Sequence, residues 1–228
     1  MSAQTPHQER PTTATSAAAP SRAPQATPPT GRRERAKAEK RARISAAISE
    51  LLATRGYVGM TTADVSRLAK VSEGTVFQYA ASKPEMLMMA TAQRWRPYVE
   101  VDVDQIVREC PRPLDAIVAI LDPIIEDSLA SPDTTVFIAR EILFGTDGVY
   151  RREVQAIVRD LERVIARVIA EDAEPSEMDE LGAKLVVSAT LVELNRTREK
   201  GVDPDVLHRQ LRQLIAVILA GMADAPAL

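Results

Sequence analysis

The sequence predicts an all-α protein in two parts: a small three-helix domain near the N-terminus and a larger helical domain after it. Three observations lead there. From residue 32 onward the apolar residues recur at helical spacing. Helix-start signals stand ahead of the apolar runs, among them Thr61, Ser72, Ser82, Ser176 and the Asp203–Pro204 pair. The charge is also divided. Residues 32–100 hold 13 Lys/Arg against 7 Asp/Glu, a surplus of +6, and residues 101–228 hold 14 against 24, a surplus of −10. A basic part beside an acidic one implies that the first meets a polyanion and the second does not.

Taken in order, residues 1–31 carry six of the fifteen prolines among Ala, Thr, Ser and Gln, a composition that predicts a disordered tail. The first helix starts at Arg32. It stripes Ile44, Ala47, Ile48, Leu51 and Leu52 on one face and stops at Gly56. Thr61 with Asp64 opens a short second helix ending near Lys70. Ser72 caps a third that reaches Tyr79, and Ser82 with Pro84 and Glu85 opens a fourth. Residues 99–107 alternate with period two but have no partner strand in view, and they are read as helix or loop. Pro113 opens a helix through Leu129 with a kink expected at Pro123, and Pro132 opens one closed by Gly145. A long amphipathic helix follows over 148–171. Another starts at Ser176 and ends at Gly201, and the last runs from Pro204 to Met222.

Composition narrows the function. The single cysteine, Cys110, excludes an internal disulfide and fits a reducing compartment. The N-terminus has no continuous apolar run of the signal-peptide kind, and no stretch is long and apolar enough for a membrane span. A soluble, cytoplasmic protein is expected. Di-iron catalysis in a helical bundle needs paired Glu-x-x-His motifs, yet the two histidines, His7 and His208, do not follow glutamates at that spacing. No Walker A, H-E-x-x-H or dinucleotide glycine pattern occurs. No metal or cofactor is expected, and a helical-bundle enzyme is the weaker alternative.

Three short helices over residues 44–80, with a tight turn between the second and third, have the pattern of a helix-turn-helix. Val71 fits the buried turn position, and Ser72 caps the helix that would enter the major groove. Gly74 leaves the backbone free to approach DNA. Thr75 offers a methyl or hydroxyl to a base edge, and Gln78 matches adenine. The run RRERAKAEKRAR (32–43) holds seven basic and two acidic residues, so Arg32 and Arg33 are candidate phosphate contacts. Glu73 either accepts from cytosine or only favours the helix N-terminus, and Phe77 either packs inward or touches DNA.

Residues 56–87 (GYVGMTTADVSRLAKVSEGTVFQYAASKPEML) resemble the DNA-binding segment of TetR-family transcriptional regulators. The matching features include Gly56-Tyr57, Thr61-Thr62, Val71-Ser72, Gly74-Thr75, the aromatic at 77, and Ser82-Lys83. The resemblance implies a dimeric repressor on a palindromic operator. Thr62, Tyr79 and Lys83 would touch phosphates, while Glu73, Thr75, Phe77 and Gln78 would face bases. Two positions depart from the family pattern: Phe77 stands where Tyr is common, and Ala80 where Phe is common.

The acidic remainder then has two tasks. The segment LIAVILAGM (214–222) is apolar all round and needs a cover, which a second subunit provides, with Ile215 and Leu219 as contact points. The helix before it offers Leu181, Ala183, Leu185, Val186, Ala189 and Val192, with Gly182 and Ser188 allowing close approach. In the resembled family the last two helices pair as a four-helix bundle. For sensing, the aromatics between 95 and 150 suggest a site for a small-molecule effector: Trp95, Tyr98, Phe137, Phe144 and Tyr150, with Glu141 beside them. The expected domains are a tail at 1–31, a DNA-binding helix-turn-helix domain at 32–83, and a ligand-binding and dimerisation domain at 84–228. A ligand-insensitive architectural DNA-binding dimer is the other alternative.

Overall fold

The computed structural model describes residues 31–171, 173–196 and 203–223. Within them lie ten helices and no strand: α1 (Arg32–Gly59), α2 (Thr62–Ala69), α3 (Glu73–Tyr79), α4 (Lys83–Val99), α5 (Val103–Glu109), α6 (Pro113–Ala130), α7 (Pro132–Phe144), α8 (Val149–Ile169), α9 (Glu177–Arg196) and α10 (Pro204–Ala223). The expected disordered tail, apart from Gly31, and the expected helix end at Gly201 lie outside the described residues.

The first three turns of α1 lie on the surface, and burial begins at Ile44. Gly56 interrupts the helix with φ 67° and ψ 175°, a conformation that a residue with a Cβ rarely adopts. The chain then makes one more turn to Gly59, so the expected stop at Gly56 is a break rather than an end. Thr61 and Asp64 form the expected reciprocal cap. The Asp64 amide donates to Thr61 Oγ1 at 3.2 Å, and the Thr61 hydroxyl donates to Asp64 Oδ2 at 2.7 Å. Lys70, at φ 53°, turns the chain between α2 and α3, and the Val71 amide closes the turn on the Ser66 carbonyl at 3.1 Å. Ser72 Oγ accepts from the Thr75 amide and Ser82 Oγ from the Glu85 amide, each at 3.2 Å.

Residues 99–107 resolve as the end of α4, a short loop at 100–102 and the start of α5. Asp102 caps α5 by accepting from the Gln105 amide at 3.1 Å. α6 remains a single helix past Pro123.

One hydrophobic core runs from Ile44 of α1 to Ile215 of α10 without a seam between the small domain and the large one. The link is α4, which packs on α1 at its start and most extensively on α8. Glu85 fixes that packing. Its carboxylate accepts from the Tyr150 and Arg151 amides, at 3.1 and 3.2 Å. These are orphan donors at the positive end of α8, which has no side-chain cap of its own. Gly148 makes room for the approach, since a Cβ there would lie 2.1 Å from Glu85 Oε1. Farther along, Arg96 of α4 pairs with Glu153 of α8 at 2.9 Å. A third bracket joins α1 to α7, where the Tyr57 and Phe137 rings lie 4.5 Å apart.

On the far side, α9 packs on α8 and α10 through Ala183, Val186 and Leu194. Ala183 and Val186 are therefore core residues of their own subunit, not surface contacts. So is Ile215, which is 1 % exposed. Gly182 is also used within the subunit, because a Cβ there would strike the Met222 sulfur. What remains outside is a stripe of α9 at helical spacing, Leu181, Leu185, Ser188 and Val192, together with Val217 of α10.

Candidate nucleic-acid interface and internal cavity

The outward face of α3 carries Glu73, Gly74, Phe77 and Gln78, all exposed. Its inward face, Val76 with the adjoining Ala80, is buried against the small domain's core. The two readings left open for Phe77 are thus separated: at 46 % exposure it does not fill the core. Thr75 is half-buried, and its hydroxyl lies 2.9 Å from the Ser72 hydroxyl, so it faces its own helix cap. Nothing but the Ser72 hydroxyl lies within 4 Å of where a Gly74 Cβ would stand, leaving the backbone there open to an approaching surface.

The candidate phosphate contacts differ among themselves. Arg32 and Arg33 are exposed in the first turn of α1, and Thr62 is half-buried at the start of α2. Tyr79 is half-buried and donates its hydroxyl to the Lys37 carbonyl of α1 at 3.3 Å. Lys83 turns back on α1: Nζ donates to the Val58 carbonyl at 3.0 Å and lies 4.9 Å from the Tyr57 ring centroid. A groove between α1 and α3 has Lys37 and Arg41 on one wall and Phe77 and Gln78 on the other.

A charge cluster stiffens α2 behind this face. The Thr61 hydroxyl, and after it the Arg67 and Arg55 guanidinium groups, hold the Asp64 carboxyl below its usual range. A carboxyl lowered by folding stabilises the fold above the unfolded pKa and stops doing so as pH falls through the folded value. Asp64→Asn is therefore expected to lower the melting temperature at neutral pH, with the difference from the parent shrinking below about pH 4. Thermal melts of both chains across pH measure it.

The second site is internal. A narrow cavity of about 50 Å³ lies between α4, α6, α7, α8 and α9. Trp95 and Val99 reach it from α4, Ile124 and Ser128 from α6, and Thr135 and Ile138 from α7. Leu161 of α8 and Thr190 of α9 close the other walls. Of the six residues that sequence suggested, Trp95 alone is on these walls. The rest do other work. Phe137 brackets Tyr57, and Tyr150 is buried with Arg41 stacked 5.5 Å from its ring centroid. Phe144 is 81 % exposed at the end of α7. The carbonyl of half-buried Glu141 accepts from Arg151 Nε at 2.7 Å, and Tyr98 is half-buried on α4. The wall residues that sequence missed are aliphatic apart from Ser128, Thr135 and Thr190, and nothing in their spacing distinguishes a cavity wall from core. Glu85 was missed as well, although a signal existed: α8 opens on Gly148 and has no residue that caps it locally.

No helix among the described residues is long and apolar enough to cross a membrane, and no group of His, Cys, Asp and Glu among them could hold a metal ion.

Residues 44–88 match the family model for bacterial regulatory proteins of the tetR family. The chain is 29 % identical over 155 residues to the HTH-type transcriptional repressor KstR of Rhodococcus jostii strain RHA1, a match covering 67 % of this chain and 69 % of that one. Two crystal structures share the fold. One is a TetR transcriptional regulator from Rhodococcus sp. RHA1, with TM-score 0.66 and 15 % identity over 81 % of this chain and 97 % of that one. The other is Thermus thermophilus FadR, a TetR-family repressor in complex with lauroyl-CoA, with TM-score 0.63 and 21 % identity over 82 % of this chain and all of that one. A DNA-binding segment of the tetR-family kind thus stands at residues 44–88, and the described residues around it take the fold of the solved regulators.

Proposed function

We propose that this chain is a transcriptional repressor that binds a roughly palindromic operator as a homodimer and releases it when a small molecule fills the internal cavity. The observation that carries the proposal is the course of α4. It begins four residues after α3 ends, and its distal half supplies Trp95 and Val99 to the cavity. One rigid element therefore touches both the reading head and the candidate effector site, so a ligand that shifts it changes the spacing of two heads on successive major grooves. The hydrocarbon-bearing ligand of the FadR complex supports a cavity of this kind as the effector site.

Within this reading, residues 32–83 are the DNA-binding domain and residues 84–228 the effector and dimer domain. Glu73, Phe77 and Gln78 read bases from the exposed face, with Thr75 at its edge. Arg32, Arg33 and Thr62 hold phosphates. Tyr79 and Lys83 do so only if they give up their bonds to the Lys37 and Val58 carbonyls, which makes them the weaker contacts of the set. The exposed stripe Leu181, Leu185 and Val192 of α9, with Val217 of α10, forms the dimer contact. A ligand-insensitive dimer is the second reading, and the cavity speaks against it.

Selection of bound duplexes from a random pool, followed by titration across a salt series, tests the proposal. An inverted repeat should emerge, and affinity should fall steeply with salt as phosphate neutralisation releases counterions. A Gln78→Ala chain is expected to keep that salt slope while losing about 1–3 kcal/mol of preference at one base pair per half-site. An Arg33→Ala chain should weaken all sequences alike and flatten the slope. Selection of unrelated sequences, or an affinity indifferent to salt, would overturn the reading.

A further inference from the structure

We infer that the cavity takes a hydrocarbon body, a chain or fused ring that carries no carbonyl, carboxylate or phosphate oxygen inside it. The inference rests on the reading of this cavity as the effector site and adds the chemistry of the effector.

The wall contains four side-chain donors, and each is already spent. Ser128 donates to the Ile124 carbonyl at 2.7 Å, and Thr190 to the Val186 carbonyl at 2.8 Å. The Thr135 hydroxyl is shared between the Ser131 and Ser128 carbonyls at 3.1 and 3.3 Å. The Trp95 indole N–H donates out of the cavity to Asp127 Oδ2 at 3.3 Å. All other wall residues are aliphatic. Backbone donors on these helices are used in the helices themselves. A ligand oxygen that can only accept would therefore lose its water and gain nothing, a penalty that hydrocarbon does not meet. An anion fares worse, because taking a full charge out of water without a partner costs far more than taking a neutral oxygen.

The same accounting separates two oxygen functions that ordinary hydrophobicity does not. A serine or threonine oxygen that has donated its proton still has a lone pair to accept with. A ligand hydroxyl can donate to Ser128, Thr135 or Thr190, whereas a ligand ketone finds no donor. The order expected inside the cavity is hydrocarbon, then alcohol, then ketone.

Trp95 is the only tryptophan of the chain, so its emission reports occupancy of this cavity directly. The full-length protein is titrated with dodecane, decalin, 6-dodecanol and 6-dodecanone, the last two carrying their oxygen mid-chain where it must enter. At least one hydrocarbon should shift the emission saturably. The alcohol should bind about fivefold or more tightly than the ketone, as one unmatched acceptor predicts. Ile138→Phe, which fills the space, should abolish the shift, and Leu161→Phe serves if that chain does not fold. A ketone that binds as tightly as the alcohol, or no response to either hydrocarbon, overturns the inference. Operator binding is followed in parallel. If the expected order holds while the operator stays bound, the effector reading fails and the cavity chemistry stands. If the ketone is the better releaser, the chemistry fails and the effector reading stands.

Discussion

A chain carrying Leu185→Asp and Val192→Asp is expected to sediment as a folded monomer and to bind the operator roughly 10²–10⁴-fold more weakly, since two linked heads become two independent ones. Both residues lie on the exposed stripe of α9, at 49 % and 52 % exposure, and neither belongs to the subunit's buried core. Exposed substitutions of this kind alter subunit stability by about 0.5 kcal/mol or less. A pair of carboxylates buried at an apolar contact costs far more. Ile215→Asp gives the contrast. Sequence alone makes Ile215 a contact residue, but it is sealed within its own subunit, and an unpaired charge there would unfold the chain rather than divide the dimer. Sedimentation with circular dichroism on both chains tests the assignment. A double variant that stays folded and fully dimeric would move the interface elsewhere.

Glu85→Ala and Gly148→Ala are each expected to destabilise the protein by about 2 kcal/mol, in the range for losing a helix cap and stranding partly buried amides. The two changes act on one contact. The first removes the carboxylate from the start of α8, and the second drives a methyl into the space where that carboxylate sits. The double variant should therefore cost little more than the worse single one, the mark of a shared interaction. Denaturant unfolding of the four chains measures the coupling. Fully additive losses would mean that Gly148 is small for some reason other than Glu85.

The reading head was legible because its determinants are local. Thr61, Ser72 and Ser82 each cap the helix that follows within three residues, and Gly56 has the positive φ that its position before Tyr57 demands. Such signals sit inside a window that a sequence pattern can span. The cavity was not legible, because Ile138 or Leu161 has the same spacing and composition whether it meets another side chain or a void. Clustered aromatics were the only available hint, and they led mostly to brackets between helices, as with Phe137 and Tyr150. The surface of α9 was half legible. Its apolar residues were identifiable, but which of them face α8 depends on the helix's rotation, so Leu185 fell outside and Val186 inside. The Glu85 cap crosses 65 residues of sequence, beyond any local pattern.

That cap also has a mechanical meaning. If α4 turns about its tie at Glu85, it is a lever whose fulcrum lies close to one end. At 1.5 Å per residue, Trp95 stands about 15 Å from the fulcrum and Ser82 only about 5 Å away on the other side. A rotation that moves the cavity end by a given distance moves the head end by about a third as much, in the opposite sense. Such a lever reduces travel and multiplies force: a coarse displacement around a bulky guest becomes a fine, firm adjustment at the head.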